Sequence, residues 1–163
     1  MTFEVHFNSK PEITNVNIRK EGAEHDILAC DVDVKGEAPG KVAGELLGCS
    51  DSEARGLLWH DDIEGHPARM TGVTAITSWA KFENCIVTIG KLKYEGVTVK
   101  KFKLKPTGGG NVDLSCQIQI SKIPKEHVGK LADEVREHIP VVILGEPDMF
   151  DEESEEKGDT EAA

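Results

Sequence analysis

Six lysines crowd into fifteen residues of this chain: Lys91, Lys93, Lys100, Lys101, Lys103 and Lys105 face Glu95 alone, for a local net charge of +5. Tyr94 and Phe102 sit among them, and Trp79 and Phe82 fall just before them. Lysines neutralise phosphates and flat rings stack on unpaired bases, so this interleaving suits a nucleic-acid strand. The competing reading is a solvated hairpin face whose rings point into the core. Alternation bears on the choice. It sets Lys101, Lys103 and Lys105 on one face of a strand and Phe102 and Leu104 on the other, so Phe102 faces inward and Tyr94 is the better stacking residue. Tyr94 nevertheless has the opposite parity from Lys91 and Lys93. Trp59 and Trp79 are each open to two roles, core packing or extension of a stacking surface.

Other groups carry less chemistry. His60, Asp61, Asp62, Glu64 and His66 gather imidazoles and carboxylates in one loop, but their spacing matches no metal motif, and Cys49, His60, His66 and Cys85 lack a close ligand pair. The stretch from Gly36 to Val42 (GEAPGKV) has three residues between its glycines where a phosphate loop has four, and Val42 replaces the magnesium-binding hydroxyl. Gly108 to Gly110 lie between two strands with no helix start behind them, and read as a turn. There is no G-x-S-x-G, and no serine or cysteine has a recognisable partner motif. Cys30 and Cys116 alternate with apolar residues and read as small core residues. The expectation is a non-enzymatic protein without cofactor or metal.

The elements that would position these residues are mostly strands. ITNVNIR (13–19), ILACDVDV (27–34), VTVKKFKLK (97–105) and VDLSCQIQI (112–120) alternate with period two, as half-buried antiparallel strands do. KEGAEHD and PTGGGN supply the turns of two hairpins. FENCIVTIGKLKYEG (82–96), TFEVHF (2–7) and Val141 to Leu144 add further strands. A helical stretch follows each hairpin: APGKVAGELLG (38–48), and IPKEHVGKLADEVREHI (123–139), whose Val128, Leu131 and Val135 share a face between Pro124 and Pro140. Ser50 or Asp51 would cap a short helix in DSEARGLLW (51–59). An ungapped offset of 86 lays one hairpin on the other, Val16 on Phe102, Ile18 on Leu104 and Cys30 on Cys116, with turns of equal length. The predicted class is α+β, mainly antiparallel β, with two hairpin-plus-helix (ββα) units over 12–48 and 98–139 that read either as an internal duplication or as chance alternation.

At 163 residues and 38% hydrophobic content, one domain with a real core is expected, over 1–145. The formal net charge of -11 is uneven: residues 146–163 hold nine carboxylates against Lys157 alone, a net of -8 that leaves about -3 for the body. Such a composition reads as a disordered, solvated acidic tail, with Met149 and Phe150 as its apolar exceptions. No apolar run approaches a membrane span and no signal peptide is legible, so a soluble, cytoplasmic protein is expected. The four cysteines contain no C-x-x-C pair and read as free thiols.

The order of these features resembles uncharacterised proteins of tailed bacteriophages and prophages. The residues that carry it are the VNIRKEGAEHDILACDVDV hairpin, the connector ending RGLLW, a central Trp strand, the hairpin ending GGNVDLSCQIQI, and a helix followed by VVIL, spanning nearly all of Ile13 to Leu144. The resemblance implies an early-region protein acting beside recombination and replication functions in a bacterial host cell, and assigns no catalytic residues. The tail is similar in character to those of bacterial single-stranded-DNA-binding proteins, yet departs from them. Those end in an apolar tip, whereas Met149 and Phe150 are internal.

The leading expectation is a single-stranded-DNA-binding accessory protein. Lys91 to Lys105 would hold the backbone, Tyr94, Phe102 or Trp79 would stack, and the acidic tail would compete for the basic surface or engage a host or phage protein through Asp148, Met149, Phe150 and Asp151. Two alternatives stand beside it: an acidic inhibitor of a host nuclease or defence protein, and an assembly protein whose strand edges pair into a homo-oligomer.

Overall fold

Alternating apolar residues form strands because each strand buries one row of side chains and solvates the other. The computed structural model describes residues 3–22 and 27–145. Its strands are β1 (Glu4–His6), β2 (Glu12–Glu21), β3 (Ile27–Pro39), β4 (Ile76–Ser78), β5 (Phe82–Ile89), β6 (Leu92–Thr107), β7 (Asn111–Ile120) and β8 (Val141–Leu144). The helices are α1 (Val42–Leu47), α2 (Asp51–Leu58) and α3 (Lys125–Asp133). The class is α+β, and the strands form one antiparallel sheet in the order β1-β8-β5-β6-β7-β3-β2, with β4 pairing β6 beyond the end of β5. The acidic stretch 146–163, with Asp148, Met149, Phe150 and Asp151, lies outside the described residues, as does the centre of the first hairpin turn, 23–26.

The sheet cannot be flat. Seven strands side by side span about 29 Å at ~4.8 Å per step, whereas the link from His6 in one edge strand to Glu12 in the other reaches about 21 Å fully extended. The sheet therefore curls until its edges meet, and Asn8 N–H donates to Glu37 O at 2.8 Å across the seam. The concave side holds one core, including Ile13, Val32, Val34, Val99, Leu104, Leu114 and Ile118. In it Phe3 stacks on Phe82 at 3.9 Å and Phe102 meets both edge-on at 5.7 Å, an aromatic cluster that adds about 0.5–1.5 kcal/mol per pair beyond burial. Trp59 closes one end, buried, its Nε1–H donating to Thr107 O at 2.7 Å. Gly40 lies against it, where an added Cβ would stand 2.2 Å from Gly110 O and 2.7 Å from the Trp59 ring. That close approach, not phosphate binding, accounts for glycine there.

The two hairpins lie side by side, β7 against β3, with β2 at the sheet edge. β3 pairs β7 with Val32 opposite Ile118, Cys30 opposite Ile120 and Val34 opposite Cys116. The offset of 86 maps Val32 on Ile118, Cys30 on Cys116 and Val34 on Ile120, so this ladder is symmetric about the Val32–Ile118 pair. Bulges interrupt β2 between Ile13 and Asn15 and β6 between Lys100 and Lys103. Both units thereby space their apolar residues alike, Ile13, Val16, Ile18 and Val99, Phe102, Leu104, although Val16 is half-buried and Ile18 exposed. α1 and α3 end on C-caps at matching positions, Gly48 and Glu134.

Three expectations need correction. The turns differ in length: β2 and β3 leave 22–26 between them, but β6 and β7 leave only 108–110, because Gly109 and Gly110 take positive φ (83° and 73°) and let Thr107 pair with Asn111. α1 starts at Val42 rather than Ala38, since Ala38 and Pro39 remain paired with Val112 and Asn111. α3 stops at Asp133, with Val128 and Val135 only half-buried. The chain leaves the helix to satisfy the β2 edge, Arg136 N–H donating to Ile13 O at 2.7 Å and Ile13 N–H to Glu137 O at 3.0 Å. α2 forms as expected, capped by Ser50, whose Oγ accepts from Glu53 N–H at 3.1 Å.

Candidate nucleic-acid interface

The convex face of β6, β7 and β3 carries the outward row of each strand. From β6 come Lys101, Lys103 and Lys105, exposed, with Lys100 half-buried; from β7 Asp113, Ser115, Gln117 and Gln119; from β3 Asp31, Asp33, Lys35 and Glu37. Two adjoining shallow grooves of about 410 and 330 Å³ cross these strands, and Lys103 and Ser115 line both. Lys35 and Lys105 complete one, Lys101 the other, with Asp113 and Asp33 interspersed. Among the described residues no carboxylate lies within ion-pair distance of Lys35, Lys100, Lys101, Lys103 or Lys105. Asp31 by contrast is held by Arg19, at 2.9 and 3.1 Å.

The bulge shapes this face. β4 pairs as far as Ser78 with Phe102, and β5 resumes with Phe82 opposite Val99. Trp79, Ala80 and Lys81 therefore lie opposite Lys100 and Lys101, three residues against two. Lys101 takes φ +56°, a left-handed conformation costing about 1–2 kcal/mol in a non-glycine residue. Trp79 is 98% exposed. It is nonetheless anchored on its own segment, since Ser78 Oγ–H donates to Leu46 O and accepts from Ala80 N–H at 3.1 Å. A solvated indole on an anchored backbone bears a large desolvation gain for any flat ring that covers it.

The structure divides the predicted residues. It brings Lys101, Lys103 and Lys105 together and adds Lys35, which the sequence reading missed; Lys100 precedes them on β6, Trp79 lies on the segment opposite the bulge and lines a separate groove with Glu45, Leu46, Leu47 and Gly48, and neighbouring Lys81 sits 3.3 Å from Glu83. Lys91 and Lys93 lie at the β5–β6 turn, roughly 25 Å along the strand from Lys101, and Lys93 sits 3.8 Å from Glu95. They belong to a different part of the surface. Tyr94 is withdrawn from stacking altogether: it is 7% exposed, and its hydroxyl lies 3.1 Å from His127 Nδ1 beneath α3. Burial pushes its phenol up to about 12. Phe102 is buried in the aromatic cluster, as its parity predicts. Cys30 and Cys116 are buried, their thiols raised to about 11 and about 12 by desolvation. In the His60–His66 loop, Asp61 lies 3.1 Å from His66 Nδ1 and 3.7 Å from Arg55. No helix among the described residues is long and apolar enough to cross a membrane.

Lys35 was legible by parity on its own strand, but its place beside Lys103 depends on the β3–β7 pairing, which joins distant parts of the chain. No protein-family model, curated protein or solved structure matches this chain.

Proposed function

We propose that this chain is a non-enzymatic single-stranded-DNA-binding accessory protein, acting in recombination or replication of a phage or prophage in the host cytoplasm. The observation that carries the reading is the fully exposed Trp79 on the bulge opposite Lys100 and Lys101. Lys35, Lys101, Lys103 and Lys105 hold the phosphate backbone along the convex face, and Trp79 stacks on an unpaired base, contacts that tolerate any sequence. A duplex, whose bases are already stacked, offers Trp79 nothing. In this reading the face binds and carries out no reaction.

Fluorescence anisotropy of labelled single-stranded and duplex DNA across a salt series tests this. Single strands should bind more tightly, with affinity falling as salt rises, and Trp79→Ala should weaken binding about 5- to 150-fold, the effect of losing one stacked base. Lys101→Glu, Lys103→Glu and Lys105→Glu together should abolish it. Absence of binding at low salt by the wild type and by a variant lacking residues 146–163, each with a normal unfolding transition, refutes the proposal.

A further inference from the structure

The outer edge of β2 is closed at one end and open along the rest. At its start Ile13 N–H donates to Glu137 O at 3.0 Å, Ile13 O accepts from Arg136 N–H at 2.7 Å, and Glu12 bridges to His138. Beyond that point nothing among the described residues pairs with this edge. Residues 15–21 therefore present about 24 Å of strand edge with N–H and C=O groups directed away from the sheet. The charges that guard an edge of this kind are largely neutralised within the molecule, since Arg19 is held by Asp31 at 2.9 and 3.1 Å and by Glu21, while Asn15 and Asn17 carry none. The inward row also runs out here. Val16 still packs against the core, whereas Ile18, paired with the fully buried Cys30, is 45% exposed. A β-branched apolar side chain thus stands uncovered at the midpoint of an open edge.

We propose that two copies of the chain join edge to edge through residues 15–21, antiparallel about a two-fold axis at Ile18. Ile18 then opposes Ile18, Asn17 opposes Arg19, Val16 opposes Lys20 and Asn15 opposes Glu21, each pair pointing to one side of the continued sheet. The two Ile18 side chains cover each other, the Lys20 stem lies along Val16, and the asparagine amides meet the charged ends of Arg19 and Glu21. The adjacent registers fail on charge or space. An axis at Asn17 brings Glu21 against Ile13, whose edge Arg136 and Glu137 already occupy, and an axis at Arg19 sets two arginines face to face. This self-complementarity favours a second copy over a strand of another sequence. The contact needs no nucleic acid, so it stands or falls separately from the function proposed above.

Sedimentation equilibrium of the full-length protein without DNA, at chain concentrations up to about 100 μM, provides the test. The wild type should approach twice the chain mass. Ile18→Glu, which sets two carboxylates face to face at the axis, should weaken self-association about ten-fold or more, with an unchanged circular dichroism spectrum because the site is exposed in the single chain. Disulfide formation reads the register. In a Cys49→Ser background, which removes the thiol that is not buried, Ile18→Cys should link two chains on mild oxidation and Lys20→Cys should not, its two copies lying about 14 Å apart. A wild type that stays monomeric at about 100 μM overturns the proposal and leaves the edge to a strand of another protein. A dimer that Ile18→Glu leaves intact, or one in which Lys20→Cys links as readily as Ile18→Cys, overturns it as well. Dimerisation as described without single-strand affinity would support this contact and fault the nucleic-acid reading alone.

Discussion

Laid over each other by their common offset, the two hairpins agree inside and disagree outside. β6 carries Lys101, Lys103 and Lys105 where β2 carries Asn15, Asn17 and Arg19, and β7 carries Gln117 and Gln119 where β3 carries Asp31 and Asp33. The inward row is conservative by comparison: Ile13 matches Val99, Val32 matches Ile118, and Cys30 matches Cys116. A packed core constrains volume and polarity, while a solvated face is free to take either charge. Where the outer rows diverge, the fold does not require the difference. The basic rows lie on β6, whose bulge stands opposite the exposed tryptophan's segment.

The largest expected effect tests whether the inward rows carry equal weight. Phe102→Ala, in the aromatic cluster, should cost about 3–5 kcal/mol of stability, whereas Val16→Ala at the matching, half-buried position should cost about 1 kcal/mol. Urea unfolding of both variants measures the gap, and equal losses would mean the units are packed alike. A smaller effect separates strain from function at the bulges. Lys101→Gly should raise stability by about 0.5–1 kcal/mol by relieving the left-handed backbone, yet weaken DNA binding; Asn15→Gly at the matching site should only destabilise, by a similar amount. A Lys101→Gly variant that binds DNA as well as the wild type would remove Lys101 from the interface.

Alkaline pH gives the gentlest test. Cys30 and Cys116 occupy matching inward positions with thiols raised to about 11 and about 12, and Tyr94 is raised to about 12. Each is favoured neutral in the folded state, so the native protein keeps protons that the unfolded chain releases above about pH 9 for thiols and 10 for the phenol. That contribution is fully present below those values and is lost as pH rises toward 12, so the urea midpoint should fall across pH 9–12. Tyr94 is the chain's single tyrosine, and its phenolate absorbance should rise near pH 12. A midpoint near 10 would show that the β6 start is open to solvent.

Much of this architecture was written locally. The alternation of β2, β3, β6 and β7, the Ser50 cap and the Gly108–Gly110 turn each follow from a few neighbouring residues. The parity of Tyr94 against Lys93 also signalled burial, correctly, against its use as a stacking ring. What stayed hidden depends on contacts between distant segments. α3 stops short because β2's edge competes for its last turn, and Lys35 joins Lys103 only through the β3–β7 ladder. Trp79 was undecidable because β4 is three residues long and offers no alternation from which to fix its side.

The β1–β8 ladder bears on how the chain must assemble. β1 sets Val5 opposite Ile143, joining opposite ends of the described chain. Its three-residue ladder has the most chain to close and the fewest contacts to reward closure. The hairpins can form early, each across a short turn. The β1–β8 ladder must wait for the two ends of the described chain to meet, which makes it the last to complete and the first place the native sheet opens.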